Sequence, residues 1–215
     1  MDRMKSLVES RHDTYGFFAG IFREELTLGQ IEELLETGLL DLLGEADCQI
    51  DPQFFTEKPL ERVEEELACE YAALFIGPGQ HVSPYESIYV PDTTGRVGAY
   101  WGECTADMKR WVERYGLEIA ERFASIPDHI SIELEFMQKI IEQENDAWER
   151  EDMEAVKRWI EVERTFFNTH LITWVPEFCE RAIEAASLDF YREIARLARD
   201  FILEEEQLLN DPGLE

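Results

Sequence analysis

Asp128 and His129 stand side by side at the start of an apolar helical repeat, with Glu133 one turn further on. A carboxylate beside an imidazole is a minimal kit for moving a proton, and a helix start lowers a histidine's proton affinity. The simpler account is structural: Asp128 caps the helix, and His129 sits in its first turn on the surface. His170 follows Phe167 by three residues on the apolar face of a helix, which suits a core histidine bonded to a backbone carbonyl better than a ligand. His12 and His81 stand apart from other chemistry-bearing residues.

Other constellations fail on spacing. A di-iron bundle needs two Glu-x-x-His pairs. The residues three before the histidines are Glu9, Pro78, Ile126 and Phe167, so only Glu9–His12 fits. HExxH, the phosphate-cradling GxxxxGK[ST] and the nucleophile elbow GxSxG are all absent. Gly77-Pro78-Gly79 lies at a helix end, whereas phosphate cradles lie at helix starts. Cys48, Cys69, Cys104 and Cys179 are too far apart for a CxxC motif and read as buried or semi-buried thiols in a reducing compartment. The expectation is no catalytic residue, no metal and no cofactor. An enzyme built on Asp128, His129 and a glutamate would lack a recognisable nucleophile.

These residues must be positioned by helices. Leu60, Val63, Leu67, Tyr71, Leu74 and Phe75 recur at steps of three and four, as do Ile130, Leu134, Met137 and Ile141, and Phe190, Ile194, Leu197 and Phe201. Each set traces one face of a 3.6-residue helix. Punctuation predicts helices over about 4–26, 28–43 (with Gly44 as C′), 59–76, 98–115, 128–148, 152–171, 176–186 (opened by Pro176) and 187–209 (capped by Ser187). Runs such as Glu64-Glu65-Glu66 and Glu204-Glu205-Glu206 read as solvated faces. The expected fold is all-α: a single-domain helical bundle of about eight helices over residues 1–215. One long ordered loop, 77–97, joins the third and fourth, and the tail 210–215 frays.

That loop is not polar filler. It carries His81, Pro84, Tyr85, Ile88, Tyr89, Val90 and Pro91. Roughly twenty residues without helical period inside a compact domain are uncommon and often functional. An apolar, proline-fixed loop must pack on the helices or await a partner.

The 215 residues, 45% hydrophobic and 12% aromatic, suffice for one domain with a real core. Against 20 basic residues stand 48 acidic ones, a net charge of −28. That charge repels phosphate backbones and anionic membranes, so nucleic-acid partners are disfavoured. It permits basic partners and serves solubility. Neither a signal peptide nor a membrane-length apolar run is visible, since Glu9, Arg11, His12 and Asp13 break the first segment. A soluble, cytoplasmic protein is expected.

Three segments together are distinctive: Tyr71-Ala72-Ala73-Leu74-Phe75 followed by Ser83-Pro84-Tyr85-Glu86-Ser87-Ile88-Tyr89; Ile126-Pro127-Asp128-His129-Ile130 followed by Glu133-Leu134-Glu135-Phe136-Met137; and His170-Leu171-Ile172-Thr173-Trp174-Val175-Pro176-Glu177-Phe178. In this order and spacing the chain resembles the TorD/DmsD/NarJ family of redox-enzyme maturation chaperones, from about Tyr15 to Phe201. The resemblance implies a cytoplasmic, non-enzymatic chaperone. Its partner would be the precursor of a molybdopterin-dependent oxidoreductase, held by its twin-arginine leader until cofactor insertion and assembly precede export. Carried onto this sequence, the leader-binding positions are Leu74, Phe75, Pro84, Tyr85, Ser87, Tyr89, Asp128 and His129. Relatives that bind leaders can have Trp in place of Tyr85 and Tyr89, and proline in place of Ile126, so the branch and its client stay open.

The residues themselves are compatible with this. A leader's basic start needs carboxylates, for which Asp128 is a candidate with Glu86 or Glu133 as acidic neighbours. Its apolar middle needs a groove lined by Leu74, Phe75, Tyr85 and Tyr89. The alternative is a non-catalytic helical adaptor or oligomeric scaffold without leader binding, its long loop serving self-association. Monomer and homodimer are both open.

Overall fold

The helical periods are realised as nine α-helices among the described residues. The computed structural model describes residues 2–37, 50–77, 81–98, 100–119 and 126–211. The helices are α1 (Asp2–Arg23), α2 (Leu28–Glu36), α3 (Gln53–Thr56), α4 (Leu60–Tyr71), α5 (Glu103–Arg114), α6 (Ile130–Glu149), α7 (Met153–Thr169), α8 (Leu171–Ala185) and α9 (Asp189–Leu209). A π-helical turn, Ala72–Ile76, extends α4, and a 3-10 turn spans Glu86–Ile88. The all-α expectation holds. None of these helices is long and apolar enough to cross a membrane. The expected C′ residue Gly44, and Cys48, lie outside the described residues.

Three boundaries differ from the sequence reading, each for a local reason. α5 begins at Glu103 rather than near Gly98, because Gly98 and Trp101 adopt positive φ (80° and 62°), which no α-helix accommodates. α6 is capped by His129 rather than Asp128: the His129 ring nitrogen Nδ1 accepts from the Ser131 N–H at 3.2 Å. α8 starts at Leu171 and contains Pro176. The buried stripe Leu171, Trp174, Val175, Phe178 and Cys179 runs through the proline, so packing outweighs the missing N–H. The short α3 had no legible period.

The chain divides into two compact units: Met1–Arg23, Pro84–Glu177 and Asp200–Glu215 form the first, and Glu24–Ser83 with Phe178–Arg199 the second. In the second, α2 and α3 pack on α4. The core of this unit includes Ile31, Phe55, Val63, Leu67 and Tyr71, with Phe75 lying 5.8 Å from the Phe178 ring. Thr27 and Gln30 form a reciprocal capping box at α2.

In the first unit, α6 packs against α1 and α7. Ile130, Leu134, Met137 and Ile141 are all buried, as their spacing requires. The Phe136 and Phe166 rings pack tilted at 4.4 Å between centres, with Trp111 edge-on to both. An ionic cluster is buried in the same unit. The Arg11 guanidinium donates to Glu205 at 2.8 Å, to Glu163 at 2.7 Å and to Glu144 at 3.2 Å. Glu205 also accepts from the Tyr15 hydroxyl at 3.1 Å. The expectation that Glu204-Glu205-Glu206 is wholly solvated is therefore corrected at its centre. Glu205 is in phase with the buried Ala198, Ile202 and Leu209, so it points inward and finds Arg11.

One cation among three carboxylates leaves excess negative charge. Burial pushes the Glu163 carboxyl up to about 8; Arg11 pulls against the rise and Glu144 adds to it. Between the ordinary carboxylate range and about 8, the folded chain keeps a proton that the unfolded chain has lost. Stability therefore falls as pH rises through that window. Urea unfolding across it should show this slope, and Glu163→Gln should flatten it; an equal slope in both proteins would refute the assignment.

Candidate functional site

Residues 84–90 and 126–130 are stitched together within the first unit. Tyr85 and His129 form an isolated antiparallel bridge. Beside it the Glu86 N–H donates to the Asp128 carbonyl at 3.0 Å, and the Ile130 N–H to the Pro84 carbonyl at 2.9 Å. The Asp128 carboxylate completes the seam. It accepts from the Ser87 N–H at 3.0 Å and from the Thr105 hydroxyl at 2.7 Å, tying the 3-10 turn to α5. The Gly98 N–H, held in place by a positive φ that glycine tolerates, donates to the Ser87 carbonyl at 2.8 Å.

Burial separates the sequence-predicted residues by role. Asp128 is wholly buried, and Pro84, Ser87 and His129 are nearly so. Tyr85 and Tyr89 are half-buried. The Tyr85 ring stands edge-on to His129 at 5.0 Å and to the exposed Tyr100 at 5.5 Å. Tyr89 packs on Trp174 at 5.4 Å. Leu74 and Phe75 lie in the second unit, in the π-helical turn, and both are buried there; the following Ile76 is exposed.

The acidic neighbours Glu86 and Glu133 are buried too, against His170 and Trp174. The His170 Nδ1 lies 2.9 Å from Glu86, and the Trp174 indole N–H donates to Glu133 at 2.9 Å. His170 thus meets a carboxylate, where the sequence suggested a backbone carbonyl. The partner comes from a distant loop, so no local pattern could reveal it.

Burial dominates the electrostatics of these groups. Burial holds the His129 imidazole down at about 4, with Arg23 adding to the effect and Asp128 opposing it. It is neutral at pH 7 and its Nδ1 serves as a helix cap. Burial, then Glu86, raises the Glu133 carboxyl well above the usual range. Burial chiefly, then Glu86, Asp128 and Glu133, pushes the Cys104 thiol up to about 12, which disfavours the thiolate. Cys69 is exposed, contrary to the expectation of buried thiols; it sits on the outer side of α4, off the Val63–Leu67–Tyr71 stripe.

Sequence reasoning missed two exposed aromatic residues beside this seam, Tyr100 at 45% and Trp101 at 70% exposure, together with Val97 at 57%. The assignment of 98–102 to a helix hid them. The positive φ of Trp101 turns the chain outward before α5.

Residues 32–180 match the family model described as nitrate reductase delta subunit. Among curated proteins, the chain is 26% identical over 212 residues to the chaperone protein TorD of Aliivibrio fischeri, covering 94% of this chain and 95% of that one. It is 28% identical over 193 residues to the chaperone protein TorD of Photobacterium profundum, covering 85% and 86%. A crystal structure of a redox enzyme maturation protein from Archaeoglobus fulgidus is 22% identical, with a TM-score of 0.48, over 90% of this chain and 93% of that one.

Proposed function

Because the chain belongs to the nitrate reductase delta subunit family, which includes the TorD-like redox-enzyme maturation chaperones, we propose that it recognises its client through a twin-arginine leader peptide. It is a molybdoenzyme maturation chaperone. In our reading it works in the cytoplasm, holds the precursor while the molybdenum cofactor is inserted, and releases it for export. It performs no catalysis of its own.

The observation that carries this reading is the seam between residues 84–90 and 126–130. It fixes an apolar, proline-containing loop and leaves Tyr85 and Tyr89 half-exposed for an apolar segment. Asp128, Ser87 and Pro84 hold the loop from beneath, and the neutral His129 supports Tyr85 from the side. Leu74 and Phe75, the other positions named by the resemblance, are buried within the π-helical turn of the second unit. Both oxygens of Asp128 are already engaged, so attraction of the leader's arginines falls mainly to the net charge of −28. Such long-range attraction speeds encounter and weakens with salt.

Calorimetric titration with the twin-arginine leader of a co-purified client tests this. Tyr85→Ala should weaken binding by about 10-fold or more, the loss typical of an aromatic anchor. Raising the salt should weaken it further, and a leader with both arginines replaced by glutamine should bind poorly. If all three changes leave affinity untouched, leader binding at this seam is wrong. Co-purification of the mature enzyme without its leader would shift recognition to the folded client.

A further inference from the structure

Glu86, Glu133 and His170 come from three separate places: the 3-10 turn, the first turn of α6 and the break between α7 and α8. Their side chains meet in the interior of the first unit, at 2%, 0% and 2% exposure. One ligand-type atom from each lies within 4.8 Å of the other two. Among the described residues, no lysine or arginine pairs with either carboxylate. Two buried carboxylates in mutual contact, one of them 2.9 Å from an imidazole nitrogen, require a cation or a proton among them.

The surroundings are arranged as an outer shell would be. The Trp174 indole N–H occupies Oε2 of Glu133, while Oε1 of the same carboxylate is buried without a hydrogen-bond partner. His170 presents Nδ1 to Glu86, and its Nε2 lies 3.3 Å from Oδ2 of Asp107, too poorly aligned for a hydrogen bond. Without a hydrogen bond, Asp107 acts on the ring by charge alone, placing a carboxylate 3.3 Å behind the nitrogen opposite the cluster. We infer that Glu86, Glu133 and His170 form a binding site for one divalent transition-metal ion of the zinc class. Two carboxylate oxygens and one imidazole nitrogen suit Zn²⁺, whereas Mg²⁺ and Ca²⁺ prefer six or more oxygens. The ion would join the loop bearing Tyr85 to α6 and to the α7–α8 break, with one coordination position left to a water. This inference does not depend on leader binding.

The competing neutraliser is a proton shared by Glu86 and Glu133, and the test separates the two. The full chain is stripped with a chelator, loaded with Zn²⁺ and dialysed, and bound zinc is counted by mass spectrometry. One Zn²⁺ per chain should be retained, with a raised melting temperature. Co²⁺ in its place should give visible d–d absorption from a nitrogen–oxygen site. Asp107→Asn, half-exposed and isosteric, should keep the fold and lower zinc affinity by only about 2- to 5-fold, through the loss of one nearby charge. His170→Gln should abolish retention. No retained zinc and no Co²⁺ band would overturn the site in favour of the proton. Equal retention by wild type, Asp107→Asn and His170→Gln would overturn it as adventitious binding to an acidic surface.

Discussion

Arg11→Met is expected to remove about 3–5 kcal/mol of folding stability, the usual consequence of deleting one partner from a buried ionic cluster. The methionine fills much of the arginine's volume, so little of the loss comes from a cavity. The cost arises because Glu144, Glu163 and Glu205 stay behind with no cation, at 1%, 0% and 3% exposure. Arg11→Lys should recover only part, since an ammonium cannot reach three carboxylates from the forked geometry that the guanidinium uses. Adding Glu205→Gln to Arg11→Met should restore some stability by removing one buried carboxylate. Chemical unfolding at neutral pH measures all four proteins. A loss below about 1 kcal/mol for Arg11→Met, the range of surface ion pairs, would show that the cluster is solvated in solution.

The second large effect is at the seam. Asp128→Ala should cost about 2–4 kcal/mol, because the Ser87 N–H and the Thr105 hydroxyl both lose a buried, charged acceptor. Asp128→Asn keeps one carbonyl oxygen and should cost about half as much. The local readout is hydrogen exchange at the Ser87 amide, which should accelerate strongly in the alanine variant. Leader affinity should fall in parallel with this loosening. A variant that loses leader affinity while Ser87 stays protected would place Asp128 in direct contact with the peptide. Unchanged protection with unchanged stability would remove its structural role.

The helices were legible because burial enforces periodicity. The Ile130–Leu134–Met137–Ile141 stripe and the Val63–Leu67–Tyr71 stripe are buried where their spacing places them. What escaped were features made by pairs distant in sequence. Arg11 reads as a charge that breaks an apolar segment, and only the packed helices bring Glu144, Glu163 and Glu205 to it. Glu86 meets His170 across 84 residues of chain. Pro176 looked like a helix start because proline favours that position, yet a continuous apolar stripe overrode the preference. The candidate site was legible as motifs and from the family they resemble, not as geometry. The residue types at Pro84–Tyr89 and Asp128–His129 marked both segments through the resemblance, while their pairing and their burial, which separates supporting residues from accessible ones, depend on packing.

The outward turn before α5 gives the protein an optical handle. Of its five tryptophans, Trp174 is buried, Trp111, Trp148 and Trp159 are partly covered, and Trp101 alone stands in water. At 70% exposure its emission should lie at the red edge of the intrinsic fluorescence and be the component that small quenchers reach. The net charge of −28 concentrates caesium around the protein and repels iodide, so the two ions report on this one indole unequally. Whatever settles near Tyr85 and Tyr100 therefore alters a signal the chain already emits, without any attached dye.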